Sequence, residues 1–76
     1  MKHEKAFTSR LRGLHSRAIG ILLRREALLE LLEEATTDFD RLFTKQRLSQ
    51  VSEQYAEVMK DILLAMEVHQ MAEHDV

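Results

Sequence analysis

Residues 7–42 read FTSRLRGLHSRAIGILLRREALLELLEEATTDFDRL, and the spacing of their apolar side chains decides the fold. Phe7, Leu11, Leu14, Ala18, Ile21, Arg25, Leu28, Leu32, Ala35, Phe39 and Leu42 follow one another in alternating steps of four and three. A second series with the same steps runs Leu48, Val51, Tyr55, Val58, Ile62, Ala65, His69, Ala72, Val76. Steps of four and three are the period of a helix that faces another helix. The fold class is therefore all-α: an antiparallel helical hairpin of two long helices that assembles into a helical bundle.

Composition agrees. The 76 residues contain no Pro and two Gly, so little interrupts a helix. Residues with high helix propensity dominate, and no strand-like alternation is sustained. The length suits a single domain, 1–76, with a first helix over about 5–35, a connection over 36–47 and a last helix over about 48–73. The connection is placed by Thr36-Thr37-Asp38, where two β-branched residues weaken the helix. Thr37 followed by Asp40 resembles a capping box. A short helix over 38–44 inside the connection, folding back with Phe39, Leu42 and Phe43 as its apolar face, is one expectation. Ser49 is then the cap of the last helix, and residues 73–76 are expected to fray. Gly13 and Gly20 lie one heptad apart within the first helix. They are read either as tolerated surface glycines or as a place where another backbone comes close.

Charge is divided along the chain. Residues 1–25 carry seven Lys or Arg against Glu4, and residues 26–76 carry four against twelve acids, leaving a net charge of −2. With Phe7, Leu14, Ile21 and Leu28 at heptad position d, Arg10, Arg17 and Arg24 all fall at g. In an antiparallel pair g faces g. A register that sets Arg24 against Asp61, Arg17 against Val68 and Arg10 against Asp75 puts the turn near Leu42 and Phe43.

The seams leave much apolar surface unused. Ile19, Leu22, Leu23, Leu29 and Leu31 in the first helix, and Met59, Leu63, Leu64, Met66, Val68 and Met71 in the last, lie outside a and d. Fully burying one such side chain is worth about 1.5–3 kcal/mol, and exposed patches of this kind mark interfaces. Leu22, Arg25, Leu29, Met59, Leu63 and Met66 are the candidate interface. Arg25, charged on an otherwise apolar seam, either reaches an acidic partner or directs its guanidinium to water along the seam edge. The methionines suit either an adaptable groove or an ordinary core.

Catalysis has no support in the pattern, and the expectation is a protein that is not an enzyme and needs no cofactor. There is no Cys, which removes disulfides, thiolate metal sites and Cys nucleophiles. The serines stand on helix faces without a base or an oxyanion loop, and no Gly-rich phosphate loop exists. His69 and Glu73 share a face, but two ligands do not close a metal site. No catalytic, cofactor or metal residue is assigned. No apolar run approaches the roughly 20 residues of a membrane span, and no signal-type core opens the chain. A cytoplasmic protein with protein partners, itself or another helix, and no membrane, is expected.

Two alternatives remain. Arg10, Arg12 and Arg17 could contact a nucleic-acid backbone, although the later part of the chain is acidic and no helix-turn-helix is present. Nucleic acid is the less favoured partner. The stretch Ile21-Leu-Leu-Arg-Arg-Glu-Ala-Leu-Leu-Glu-Leu-Leu32, followed by a second amphipathic helix, resembles the export chaperones of flagellar and type III secretion systems in size and pattern. That resemblance implies a helical hairpin shielding a partner's amphipathic helix, and it transfers no residue roles.

Overall fold

The turn is three residues long. In the computed structural model, which describes the backbone of residues 2–74 and the side chains of residues 5–71, helix α1 spans Lys2–Glu34 and helix α2 spans Asp38–His74. The last turn of α1 tightens as the Ala35 N–H donates to the Leu32 carbonyl at 3.3 Å. Thr37 then caps α2: the Asp40 N–H donates to Thr37 Oγ1 at 3.1 Å, and the Arg41 N–H donates to the Thr37 carbonyl at 3.1 Å. Asp38 and Asp40 lie in the first turn of α2, where carboxylates favour the positive end of the helix dipole.

The connection is therefore shorter than 36–47. Residues 38–44 do not fold back as a separate helix, and Ser49 caps nothing, because both lie within α2. The polar run Lys45 to Ser49 holds no Gly or Pro and is mostly helix formers. Its polarity marks a solvent-facing side rather than a break. Phe39 and Leu42, assigned to the first seam, are 74% and 71% exposed. The turn resets the phase, so the seam of α1 ends at Ala35.

The seam of α2 instead begins at Thr44, which is buried. Its hydroxyl donates to the Asp40 carbonyl at 2.7 Å, so a polar side chain sits in the seam with its proton satisfied. From there the buried and half-buried positions of α2 run Thr44, Leu48, Val51, Tyr55, Val58, Ile62, Ala65, His69. Those of α1 run Phe7, Leu11, Leu14, Ala18, Ile21, Leu28, Leu32, with Ala35 following at the start of the turn. Each lies on the expected seams except Thr44, and Arg25 is the single seam residue of α1 left exposed.

Facing side chains fix the register. Phe7 stacks on His69 with ring centroids 3.9 Å apart and planes 10° from parallel. From that layer the heptad sets Leu14 level with Ile62, Ala18 with Val58, Leu28 with Leu48 and Leu32 with Thr44. Ala18, Ile21, Val51, Val58 and Ile62 form the core, flanked by Leu11, Leu14, Leu28 and Tyr55. The result is a rod about 60 × 16 × 11 Å in extent.

The expected charge register is one heptad out. Arg24 lines a cleft with Gln54 and Glu57 rather than meeting Asp61. The heptad sets Arg17 level with Asp61 and Arg10 level with Val68. The early turn carries α2 one heptad along α1. Among the described residues Arg17, Arg24 and Asp61 form no ion pair. The pair that does form, Arg41 Nη1 to Asp38 Oδ1 at 3.5 Å, lies within the first turn of α2. Asp75, Ala72 and Val76 carried expectations that lie outside the described side chains.

Candidate interaction surface

A two-helix rod has two long sides flanking its seam, and the heptad sorts the exposed side chains between them, apart from the f positions on the back of each helix, which include Leu23 and Phe39. Positions e and b of both helices share one side; positions g and c share the other. On the e/b side, α1 presents Lys5, Thr8, Arg12, His15, Ile19, Leu22, Glu26, Leu29 and Glu33. Across from them α2 presents Leu42, Lys45, Ser49, Ser52, Ala56, Met59, Leu63, Met66 and Gln70.

Five of the six candidate interface residues, Leu22, Leu29, Met59, Leu63 and Met66, fall on this side, and all are exposed. Arg25 is exposed at the seam edge next to them, where it lines a cleft with Leu22, Ser52 and Tyr55. The six are thus brought to one side of the hairpin. Two helices contribute to it, with Leu22 and Leu29 nearer the turn and Met59, Leu63 and Met66 nearer the open end.

The g/c side is different. Arg10, Arg17 and Arg24 form a row along α1, interrupted on the α2 side by Glu57 and Asp61. Arg12, at b, stands on the opposite side of the rod from Arg10 and Arg17. The three candidate nucleic-acid contacts therefore do not share a face. Gly13 and Gly20 lie at c, and a Cβ added to either meets nothing within 4 Å. Within one chain they permit no close backbone approach.

Near the turn, Phe39 and Phe43 stack at 6.2 Å, and the Arg47 guanidinium lies 5.0 Å from the Phe43 ring centroid. These side chains follow one another at four-residue steps on the outside of α2. Phe43 and Arg47 also line an open cleft with Leu28, Leu31, Ala35 and Thr44 at the turn end.

Among the described residues no three His, Cys, Asp or Glu gather as a metal site, and no helix is long and apolar enough to cross a membrane. The side chains of His3, Glu73 and His74 lie outside the described set. His69 belongs to the seam, in contact with Phe7.

The balance of buried and exposed apolar surface is the main physical feature. Six apolar side chains are buried among the described residues, and fourteen large ones are exposed. All eleven side chains expected to exceed the seam are among those fourteen; Phe39, Leu42 and Phe43 complete them. The accessible surface is 6630 Å², whereas a folded monomer of 8.9 kDa scales to about 4,800 Å². The surplus, roughly 1,800 Å², reflects the extended rod shape, which leaves more surface exposed than a globular chain of the same mass.

In comparisons with known proteins, no family model, no curated sequence and no solved structure matches the chain.

Proposed function

We propose that the chain is a non-catalytic helical interaction module, which self-associates or assembles with a partner helix through the e/b side of the hairpin. One observation carries this reading: among the described residues fourteen large apolar side chains stay exposed against six buried ones, and seven of the fourteen, Ile19, Leu22, Leu29, Leu42, Met59, Leu63 and Met66, lie on the e/b side. A lone hairpin has one buried stripe per helix, and this one is narrow, with Ala18, Val51, Val58 and Ala65 among its buried positions. Covering the e/b side would add Ile19, Leu22, Leu29, Met59, Leu63 and Met66 to the core. At about 25 cal/mol per Å² of apolar area that term dominates the association.

The likeness to export chaperones, one of size and pattern, is the alternative reading, with a partner's amphipathic helix as occupant, and it assigns no side of the hairpin. A nucleic-acid role for Arg10, Arg12 and Arg17 is weakened by their division between opposite sides of the rod.

The test is the double variant Leu29→Glu/Leu63→Glu. Both side chains are exposed in the single hairpin, so its helices should persist while the assembly dissociates. Solution mass by light scattering and helix content by circular dichroism read the two separately. A double variant that keeps the wild-type assembled mass would reject the e/b side as the interface.

A further inference from the structure

We propose that the occupant of the e/b side is a second copy of this chain, docked antiparallel about a two-fold axis near Ile19 and Ala56 to form a four-helix bundle. The inference rests on the interaction reading above and names its partner.

The b positions of α1 read Lys5, Arg12, Ile19, Glu26, Glu33 at seven-residue steps: basic, basic, apolar, acidic, acidic. Seven residues rise about 10.5 Å along a helix, so the stripe is a charge palindrome of opposite sign centred on Ile19. Laid antiparallel on itself, it sets Lys5 toward Glu33 and Arg12 toward Glu26 of the second copy, twice over, with Ile19 meeting its counterpart at the axis. An isologous interface needs a patch that is complementary to itself, and this stripe is.

Side-chain size on α2 follows the same symmetry. About Ala56 its e/b positions are small toward the turn, at Ser49 and Ser52, and large toward the open end, at Met59 and Leu63; farther out, Leu42 and Lys45 near the turn stand against Gln70 and Met66 near the open end. The Phe7–His69 register puts Ala56 level with Ile19. An antiparallel second copy therefore lays Met59 and Leu63 over Ser52 and Ser49 of the first. On α1 the order is reversed: Thr8 and His15 lie toward the open end, and Leu22 and Leu29 toward the turn. The same operation matches them.

Other arrangements lose this matching. Setting α1 over the α2 of a second copy leaves Arg12 level with Leu63 and Lys5 level with Gln70, without acids. Using the g/c side would lay the row Arg10, Arg17, Arg24 against itself. Electrostatic matching of this kind selects partner and orientation.

The experiment reverses one half of the stripe at a time. Lys5→Glu/Arg12→Glu makes the stripe wholly acidic; Glu26→Lys/Glu33→Lys makes it wholly basic. All four residues are exposed. The outermost changes, at Lys5 and Glu33, put charge where each end of the α1 dipole favours it, so helix content should hold. Solution mass is read for each variant alone and for an equimolar mixture, with native mass spectrometry to identify the mixed species. The expected result is at least a tenfold weaker self-association for each variant alone, and a heterodimer of wild-type affinity on mixing. A mixture no tighter than its components overturns the antiparallel pairing. If Leu29→Glu/Leu63→Glu still dissociates the wild type in that case, the e/b interface itself stands. A wild type that stays monomeric overturns the second copy as occupant and leaves the side to a different helix. Where the wild type assembles, an unchanged mass for Leu29→Glu/Leu63→Glu rejects the underlying reading instead.

Discussion

Val58→Ala and Val68→Ala are the same chemical change on the same helix, and the seam predicts different costs for them. Val58 is 2% exposed at a d position level with Ala18, whereas Val68 is 57% exposed at g. Truncating Val58 removes two carbons from the core, about 1.6 kcal/mol of transfer free energy at roughly 0.8 kcal/mol each. A residual cavity adds to this at about 24 cal/mol per Å³, but a two-helix seam can close partly over the gap, so the added term is about 0.5 kcal/mol. Alanine's better helix propensity returns a similar amount. The net cost at Val58 is about 1.5 kcal/mol. At Val68 the small burial lost and the propensity gained nearly cancel, leaving a change within about 0.5 kcal/mol. Urea unfolding followed by circular dichroism, at one chain concentration for all three proteins, measures the difference. For a chain of this size the Val58 variant should also melt roughly 6–12 °C lower. Equal costs at the two positions, or a larger cost at Val68, would refute the seam, because the buried side of α2 would then be elsewhere.

Three further substitutions probe separate parts of the account. Arg25→Leu should stabilise the hairpin by about 1 kcal/mol, since a leucine there would be half-buried like Leu28; destabilisation in urea would show that the guanidinium makes a needed contact. Gly20→Ala, with open space around the added methyl, should stabilise by about 1 kcal/mol and leave solution mass unchanged; a loss of assembly would show that a second backbone approaches there. Thr37→Ala removes the hydroxyl that accepts from the Asp40 N–H and should cost about 1 kcal/mol in thermal or urea unfolding.

The seams were legible because heptad spacing is set by helix geometry, and every buried apolar position fell on them. The turn was less legible. Thr36, Thr37 and Asp38 were recognised as the weak point, but the polar run after them looked like loop and extended the connection by ten residues. Its side chains are helix formers, and the local pattern cannot distinguish a solvated helix face from a linker when no Gly or Pro intervenes. That error carried the charge register one heptad too far, since an antiparallel register depends on where the chain reverses. Thr44 was missed for a related reason: a hydroxyl reads as surface unless its bond to the carbonyl one turn back is foreseen. His69 was placed on the seam, but its stack on Phe7 depends on the register and emerged only with the true turn. The candidate interface was legible as surplus, because eleven large side chains outside two seams have nowhere to go within one hairpin. Its gathering onto one side, and the separation of Arg12 from Arg10 and Arg17, follow from the heptad once the antiparallel geometry is fixed.

The central claim is that the exposed apolar side exists to be covered by helices from outside the single hairpin, with a second copy as the occupant we infer. The direct measurement is the solution mass of the wild-type chain by light scattering over a wide dilution series, with helix content followed in parallel. The account predicts a species of twice the 8.9 kDa chain mass that dissociates on dilution, with a loss of stability as it does so. A chain that stays monomeric and fully helical at every concentration would contradict it, because the surplus apolar surface would then be tolerated in water with no partner of its own kind.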